Sequence, residues 1–360
     1  MVHAATACLF AVLALTGTTV VVRADDSYAQ LSSYESWKKS DYYKEAYNKR
    51  FLPPSTYKNA DSGGGPFSMS TIGDSTAMAE EKKRFEAALA QIAELKKLHP
   101  LATFSMETPF ALLTPEEFAA YVSRNNINPD VLTKASSNTT SAGGPKTESG
   151  AGGPMTRAAT PGEKVDWQAL GCVSPVKDQS QCGACWAFSA TAAMESGVCV
   201  ETRQKSLPVL SDQQLISCDN QGQSVGCGGG FASYTMDWIA KNRNGKMCTM
   251  DTYPFTSATG SVASCQMGGC REIDIGVTGF DSIRQDPGKL EDKVRERPVS
   301  VFVYSGSPAF QFYKSGILTG ENCDKSGAHS ALAVGFGDEN GMPYWRLKNQ
   351  WGTKWGEEGY

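Results

Sequence analysis

The stretch Gln179-Ser180-Gln181-Cys182-Gly183-Ala184-Cys185-Trp186-Ala187-Phe188-Ser189 is followed, 144 positions after Cys185, by His329 and then by Asn349 in Lys348-Asn349-Gln350-Trp351-Gly352. A thiol attacks only as the thiolate, so it needs an imidazole to take its proton and a third group to hold that ring in the right tautomer. Cysteine, histidine and asparagine supply these roles. The chain has three histidines, and His3 and His99 lie in segments read below as removable, which leaves His329 as the one candidate base. Cys185 to Val198 reads as a helix with Cys185 in its first turn, where unpaired N–H groups and the positive dipole end favour a thiolate. Beyond Ala328, alternation and glycine predict a hairpin turning at Asn340-Gly341. It would carry His329 on one strand and place Asn349 near the end of the next.

Four motifs in order, QCGACWAFS from 181, GCGGG at 226–230, AHSALAVGFG at 328–337 and KNQWGTKWGEEGY at 348–360, resemble the papain family, and most of all its cathepsin L-like members, over roughly residues 76–360. The resemblance implies an α+β, two-lobe fold, with a helical lobe and a β-barrel-like lobe behind a mainly helical inhibitory propeptide. It implies a cysteine endopeptidase made as a zymogen, with no cofactor and no metal. By the same resemblance the Gln179 amide joins the Cys185 backbone N–H in the oxyanion hole. Trp351 would shield the His329–Asn349 hydrogen bond, a role that ordinary core packing of the indole would share. Gly229 and Gly230 would pair with an extended peptide backbone, since absent side chains let two backbones approach. Phe231, Ala232, Phe302, Ala328 and Ser330 map to the walls of the apolar pocket that reads the second residue on the amino side of the cut. Phe302 is larger than the residue expected there, which predicts a narrower pocket unless the ring swings aside.

Resemblance also suggests the disulfides. Of eleven cysteines, ten lie beyond residue 160, and setting Cys185 aside leaves nine. Cys182 would pair with Cys227 and Cys218 with Cys265. Cys172 and Cys199 are spaced like a bridge of cathepsin B-like relatives, and Cys248 with Cys270 is the remaining local option. Cys323 is left over; the family's partner for it lies after the GEEGY segment, so a further carboxy-terminal piece carrying that partner and the pocket-floor residue is expected.

Composition agrees with a folded enzyme. A length of 360 residues suggests about two domains, 40% hydrophobic residues support a buried core, and a formal charge of −4 gives no basic footprint for nucleic acid. Residues 1–24, apolar from Ala7 to Val22, read as a signal peptide, with an amino-terminal anchor as the alternative. That route leads to an oxidising compartment, lysosome-like or extracellular, and to no stable membrane insertion. Residues 25–132 contain no cysteine and form the expected propeptide. Ala77 to Leu98 places Phe85, Leu89, Ile92 and Leu95 on one helical face. Glu80 or Glu81, with Arg84, occupy the resembling family's glutamate and arginine positions, while Ala88, Gln91 and Leu112 depart from its phenylalanine, asparagine and aspartate. Thr114-Pro115-Glu116-Glu117-Phe118 is a helix start, and Pro53-Pro54 with Gly63 to Pro66 mark a loop. Residues 133–163, rich in Gly, Ser, Thr and Pro, read as a flexible linker cut near Arg157 to Gly162, with a glycosylation sequon at Asn138. The peptidase domain then spans 164–360. Its partners would be protein and peptide substrates and its own propeptide, and a monomer is expected.

Two other classes compete. Cys182-Gly183-Ala184-Cys185 is a CxxC, as a thiol-disulfide oxidoreductase would use, but tryptophan follows the second cysteine instead of preceding the first. A catalytically silent binding protein is the second alternative, suggested by Ala88, Leu112 and Gln350. Zinc binding fails for lack of histidines and of a second CxxC.

Overall fold

The computed structural model describes residues 31, 33–57, 75–124, 163–220, 223–283, 286–320 and 325–360. The expected signal peptide, the Gly63 to Pro66 loop, the linker to residue 162 with its cut site and sequon, and Cys323 lie outside the described residues.

Helices come first. α1 (Tyr34–Lys38) and α2 (Asp41–Asn48) start at Ser33 and Ser40, whose hydroxyls accept the N–H groups of Ser36 and Tyr43. α3 (Ser75–Leu98) buries Ala77, Glu81, Phe85, Ala88, Ile92 and Leu95, the spacing of a single helical face. Leu89, expected on that face, is half-buried at its margin, and Ala88 occupies the interior instead. β1 (Ala102–Phe104) follows, and α4 (Pro115–Val122) begins with a complete capping box between Thr114 and Glu117.

The structure separates the two candidate glutamates. Glu81 is fully buried and accepts hydrogen bonds from Tyr34 Oη at 2.6 Å, Thr56 Oγ1 at 2.6 Å and Tyr43 Oη at 3.4 Å. Glu80 is the ion-pair partner of Arg84, at 2.9 Å. Arg84 also pairs with Glu117 and donates to the Leu112 carbonyl at 3.1 Å. With leucine where the resembling family has aspartate, the guanidinium is held by a capping carboxylate of the next helix and a backbone oxygen. Leu112 itself enters the core.

From residue 163 onward the elements are β2 (Val165–Asp166), α5 (Cys185–Glu201), α6 (Asp212–Cys218), α7 (Ala232–Asn242), β3 (Lys246–Cys248), β4 (Glu272–Asp274), α8 (Pro287–Glu296), β5 (Val299–Tyr304), α9 (Pro308–Phe312), β6 (Tyr313–Gly316), β7 (Ala328–Glu339) and β8 (Met342–Lys348). α5 is apolar on nearly all sides and accordingly buried. One face packs with α6 and α7 around Trp186, Leu215 and Ile239, and another meets β7 through Ala192, Leu332 and Val334. β7 is the hub of a four-stranded antiparallel sheet. β5 pairs with its first half, β8 with its second, and β2 with Gly335 and Phe336. The β7–β8 turn has Asn340 and Gly341 at φ 55° and 84°, the left-handed pair a two-residue hairpin requires. The fold is thus the expected α+β arrangement of a helical and a sheet lobe, with the second lobe an open sheet among the described residues. All four expected bridges form: Cys172–Cys199, Cys182–Cys227, Cys218–Cys265 and Cys248–Cys270.

The amino-terminal unit, residues 31–124, shares one core with the rest. Trp351, Trp355, Ala309 and Phe312 are buried together with its Phe51, Phe85, Phe110 and Phe118. Phe110 and Phe118 meet Trp351 edge-on at 5.3 and 5.7 Å, a favoured aromatic geometry. β1 adds to β6, with Ala102 opposite Gly316. A Cβ on Gly316 would lie 2.3 Å from the Leu101 carbonyl oxygen, so this pairing requires glycine. Gln311 Nε2 donates to the carbonyls of Phe110 and Leu113 at 2.9 and 2.8 Å. Glu45 pairs with Lys354 and Glu107 with Lys314, both at 2.8 Å, and Lys49 pairs with Asp178. Truncating Phe110, 1% exposed, therefore removes the centre of a shared core. Phe110→Ala is expected to cost about 3–5 kcal/mol in urea unfolding of the whole chain, whereas truncation of the exposed Leu98 is expected to cost under about 0.5 kcal/mol.

Candidate active site

Cys185 is the first residue of α5. Its N-cap, Ala184, has no capping side chain, so the first-turn N–H groups keep their positive field near the sulfur. The Ser330 N–H donates to Cys185 Sγ at 3.4 Å, which brings the start of β7 onto the nucleophile candidate. His329 precedes it on that strand, paired with Val303 of β5. Its Nε2 lies 2.8 Å from Asn349 Oδ1, just past the end of β8. Asn349 Oδ1 also accepts the Gln350 backbone N–H at 2.9 Å, which marks it as the oxygen. His329 Nε2 is therefore the protonated nitrogen, and Nδ1 keeps its lone pair. The Trp351 indole covers the ring, with centroids 4.9 Å apart.

Gln179 is buried beside them. Its Nε2 donates to the Cys182 carbonyl at 2.9 Å, its backbone N–H donates to the Gln350 carbonyl at 2.9 Å, and its Oε1 has no hydrogen-bond partner among the described residues. A buried orphan oxygen costs about 1–3 kcal/mol.

Burial pushes the Cys185 thiol up to about 12, against the pull of the Ser330 N–H, and pushes the His329 imidazole down to about 4, against the Asn349 bond. In this closed form both groups are neutral at neutral pH. α4 ends at the same place. The Tyr121 hydroxyl donates to the Ser180 carbonyl at 3.0 Å. A Cβ on Gly183 would lie 2.9 Å from the Arg124 carbonyl oxygen, and one on Gly327 would lie 3.0 Å from a Val122 methyl. Residues 121–124 thus sit between the lobe bearing Cys185 and the strand bearing His329.

The expected substrate-contacting residues fall into two groups. Gly229, at φ 122°, and Gly230 precede α7, followed by Phe231 and Ala232. A Cβ on Gly230 would come within 2.6 Å of the Trp186 ring, so close packing on that indole is a further reason for glycine. Phe302 and Ser330 are directly paired across β5 and β7, as are Tyr304 and Ala328. Paired residues share a sheet face, so these four lie together. The Phe302 ring stands edge-on to Tyr304, with centroids 5.5 Å apart, a neighbour the sequence reading did not name.

Sequence reasoning also missed the charges beneath Asn349. Lys177 Nζ bonds Glu195 Oε1 at 2.9 Å, Asp212 Oδ2 at 2.8 Å and the Leu210 carbonyl at 3.0 Å. Ser174 links Glu195 to Lys348, whose Nζ donates to Ser174 Oγ at 2.9 Å. Burial lowers Lys348 to about 8. The available signal was Glu195, a single carboxylate inside the apolar run of α5. No metal suits the donors gathered at Cys248, Cys270 and Glu272, because the two sulfurs are bonded to each other. Among the described residues Cys185 lies outside every disulfide, and Cys182 is bridged to Cys227, so the CxxC does not close on itself.

A family model described as papain family cysteine protease matches residues 161–360. Among curated proteins, the oryzain beta chain of Oryza sativa subsp. japonica is 41% identical over 199 residues, 55% of this chain and 41% of that protein. The probable cysteine protease RD21C of Arabidopsis thaliana is 34% identical over 299 residues, 79% of this chain and 59% of that one. The chain thus spans about half the length of these relatives. Among solved structures, digestive procathepsin L 3 of Tenebrio molitor larval midgut has a TM-score of 0.60 at 26% identity, covering 89% of this chain and 93% of that one. The proform of the ragweed pollen cysteine protease Amb a 11 has a TM-score of 0.61 at 24% identity, covering 91% and 90%, and supports the fold. The chain belongs to the papain family of cysteine proteases.

Removing Glu195 would leave the buried Lys177 and Lys348 ammoniums with Asp212 as the one carboxylate of their cluster, release Ser174 and unpair the buried Leu210 N–H. Glu195→Ala is expected to lower stability by about 3–5 kcal/mol, read as a fall in the urea midpoint with the slope unchanged.

Proposed function

We propose that this chain is a cysteine endopeptidase made as a zymogen. The observation that carries the reading is that adjacent residues of β7 reach both partners: the Ser330 N–H donates to Cys185 Sγ, His329 bonds Asn349, and Gln179 is tied to the Gln350 carbonyl beside Asn349. The Cys185 sulfur gives its proton to His329 Nδ1 and attacks the scissile carbonyl carbon. The Cys185 N–H and the Gln179 amide stabilise the oxyanion. His329 passes the proton to the leaving amine as the C–N bond breaks, then takes one from water, which cleaves the thioester and regenerates the thiol. Asn349 keeps the ring in the required tautomer, and Trp351 keeps water from their bond.

In this reading residues 25–132 are the inhibitory propeptide, 133–163 the cleaved linker and 164–360 the peptidase domain, with residues 1–24 directing secretory entry towards a lysosome-like or extracellular destination. The position of residues 121–124 between the lobes supports the inhibition. Phe302 against Tyr304 supports a pocket for the second residue before the cut that is narrowed on the sheet side. Removing the propeptide would hydrate the site, and water lowers the cost of charge. Thiolate and imidazolium would then form where the closed form holds thiol and imidazole.

Two tests follow. Thiol-directed epoxide labelling after propeptide removal should modify Cys185, and His329→Ala should suppress it; absence of label on a demonstrably matured, folded chain would favour a silent binding protein. Burial raises the Glu45 carboxyl, but the Lys49 ammonium of its own unit and the Lys354 ammonium across the contact together outweigh it and hold it below its usual 4.5, and only the Lys354 share is linked to docking. A depressed carboxyl stabilises docking above its undocked value and ceases to do so as pH falls through its docked value. Docking of residues 31–124 should accordingly weaken below about pH 4.5, and Glu45→Gln should mature at higher pH than the parent in a gel-based conversion assay.

A further inference from the structure

Gln350 has no part in the hydrolytic steps, yet it lies buried where His329, Asn349, Ser330 and Gln179 meet. Its backbone N–H donates to Asn349 Oδ1, and its carbonyl accepts the Gln179 N–H, each at 2.9 Å. Its side-chain Nε2 donates to the Ser330 carbonyl at 2.7 Å and stands 3.4 Å from His329 Nε2. Because His329 Nε2 already carries the hydrogen given to Asn349, this last contact joins two N–H-bearing nitrogens. It is not a hydrogen bond. It sets the positive end of an amide dipole against the imidazole, and the Ser330 carbonyl holds it there.

We infer that Gln350 is a positioning residue for proton transfer at His329: it ties down β7 at the residue whose N–H reaches Cys185 Sγ, and it disfavours the imidazolium relative to the neutral ring. The inference rests on the reading of His329 as the base. Other titratable groups around the ring are the Cys185 thiol on α5 and the Tyr121 hydroxyl on α4. Asp178, bridged to Trp351, and Lys348, next to Asn349, lie behind it. None of them changes when Gln350 alone is replaced. A short side chain would leave the ring without the opposing dipole, and a carboxylate would reverse its sign at similar size.

The test uses the full chain with Cys185→Ala and ring-labelled histidine, so that His329 is followed by NMR without any need for peptidase activity. Gln350→Ser and Gln350→Met should raise the His329 titration midpoint by about half a pH unit, and Gln350→Glu by more than about one unit. In the matured enzyme with Cys185 intact, the alkaline limb of kcat/KM should move up in the same order, with KM changing less than about twofold. A His329 midpoint that stays constant across Gln350, Ser and Met overturns the proposal, whatever happens to activity. A midpoint that moves as expected in a chain that cleaves no peptide sustains it and sinks the hydrolytic reading instead. If Gln350→Glu does not fold, Gln350→Ser and Gln350→Met carry the same prediction.

Discussion

A neutral hydrogen bond between His329 and Asn349, kept dry by the Trp351 indole, is the interaction around which the rest is arranged. An imidazole buried this deeply loses its charge, and a buried thiol keeps its proton. The same apolar cover that orients the ring in the closed form therefore holds the pair in its uncharged state. Trp351 serves both purposes because its other sides are packed by Phe110, Phe118 and Tyr121 of the amino-terminal unit. One indole thus links the orientation of the His329 ring to the docking of residues 31–124.

Docking is built from unlike contributions. The aromatic cluster buries large apolar side chains from both sides in one core, a non-directional source of affinity. The β1–β6 pairing and the Gln311 bonds set register, since a misplaced strand would leave buried backbone groups unpaired. The peripheral pairs Glu45–Lys354 and Glu107–Lys314 are partly exposed and individually worth little. The Glu45 pair is the part that responds to acid, whereas the aromatic part does not titrate in that range.

The residues of the proposed site were legible in the sequence. A cysteine at a helix start, one remaining histidine and an asparagine one hairpin later leave few arrangements, and β7 and β8 bring these three proposed site residues together. The hairpin turn was legible because Asn340-Gly341 supplies the positive φ values it needs. Interactions with interchangeable partners were not. Arg84 needed a carboxylate, and nothing local says that Glu117 supplies it once Leu112 replaces the resembling family's aspartate. Ala88 rather than Leu89 faces the core of α3 because neighbouring helices decide which side of a broad apolar stripe is used. The Lys177, Glu195, Asp212 and Lys348 cluster gathers residues from four places along the chain, so its partners emerge only in three dimensions.

That cluster has a consequence for the site. Lys348 immediately precedes Asn349, and its ammonium reaches inward to Ser174 rather than outward to water. Ser174 and Glu195 connect it to Lys177, whose neighbour Asp178 bridges to Trp351. The backbone on both sides of Asn349 is therefore anchored, by a buried charge network before it and by the indole after it. A hydrogen bond that orients an imidazole is useful only if its acceptor cannot drift, because a displacement of about 1 Å costs on the order of a hundredfold in rate. A buried ion network is a poor source of net stability, since desolvation offsets most of its attraction. It is directional, however, and apolar packing of the same volume would not fix the angle at which Asn349 meets the ring.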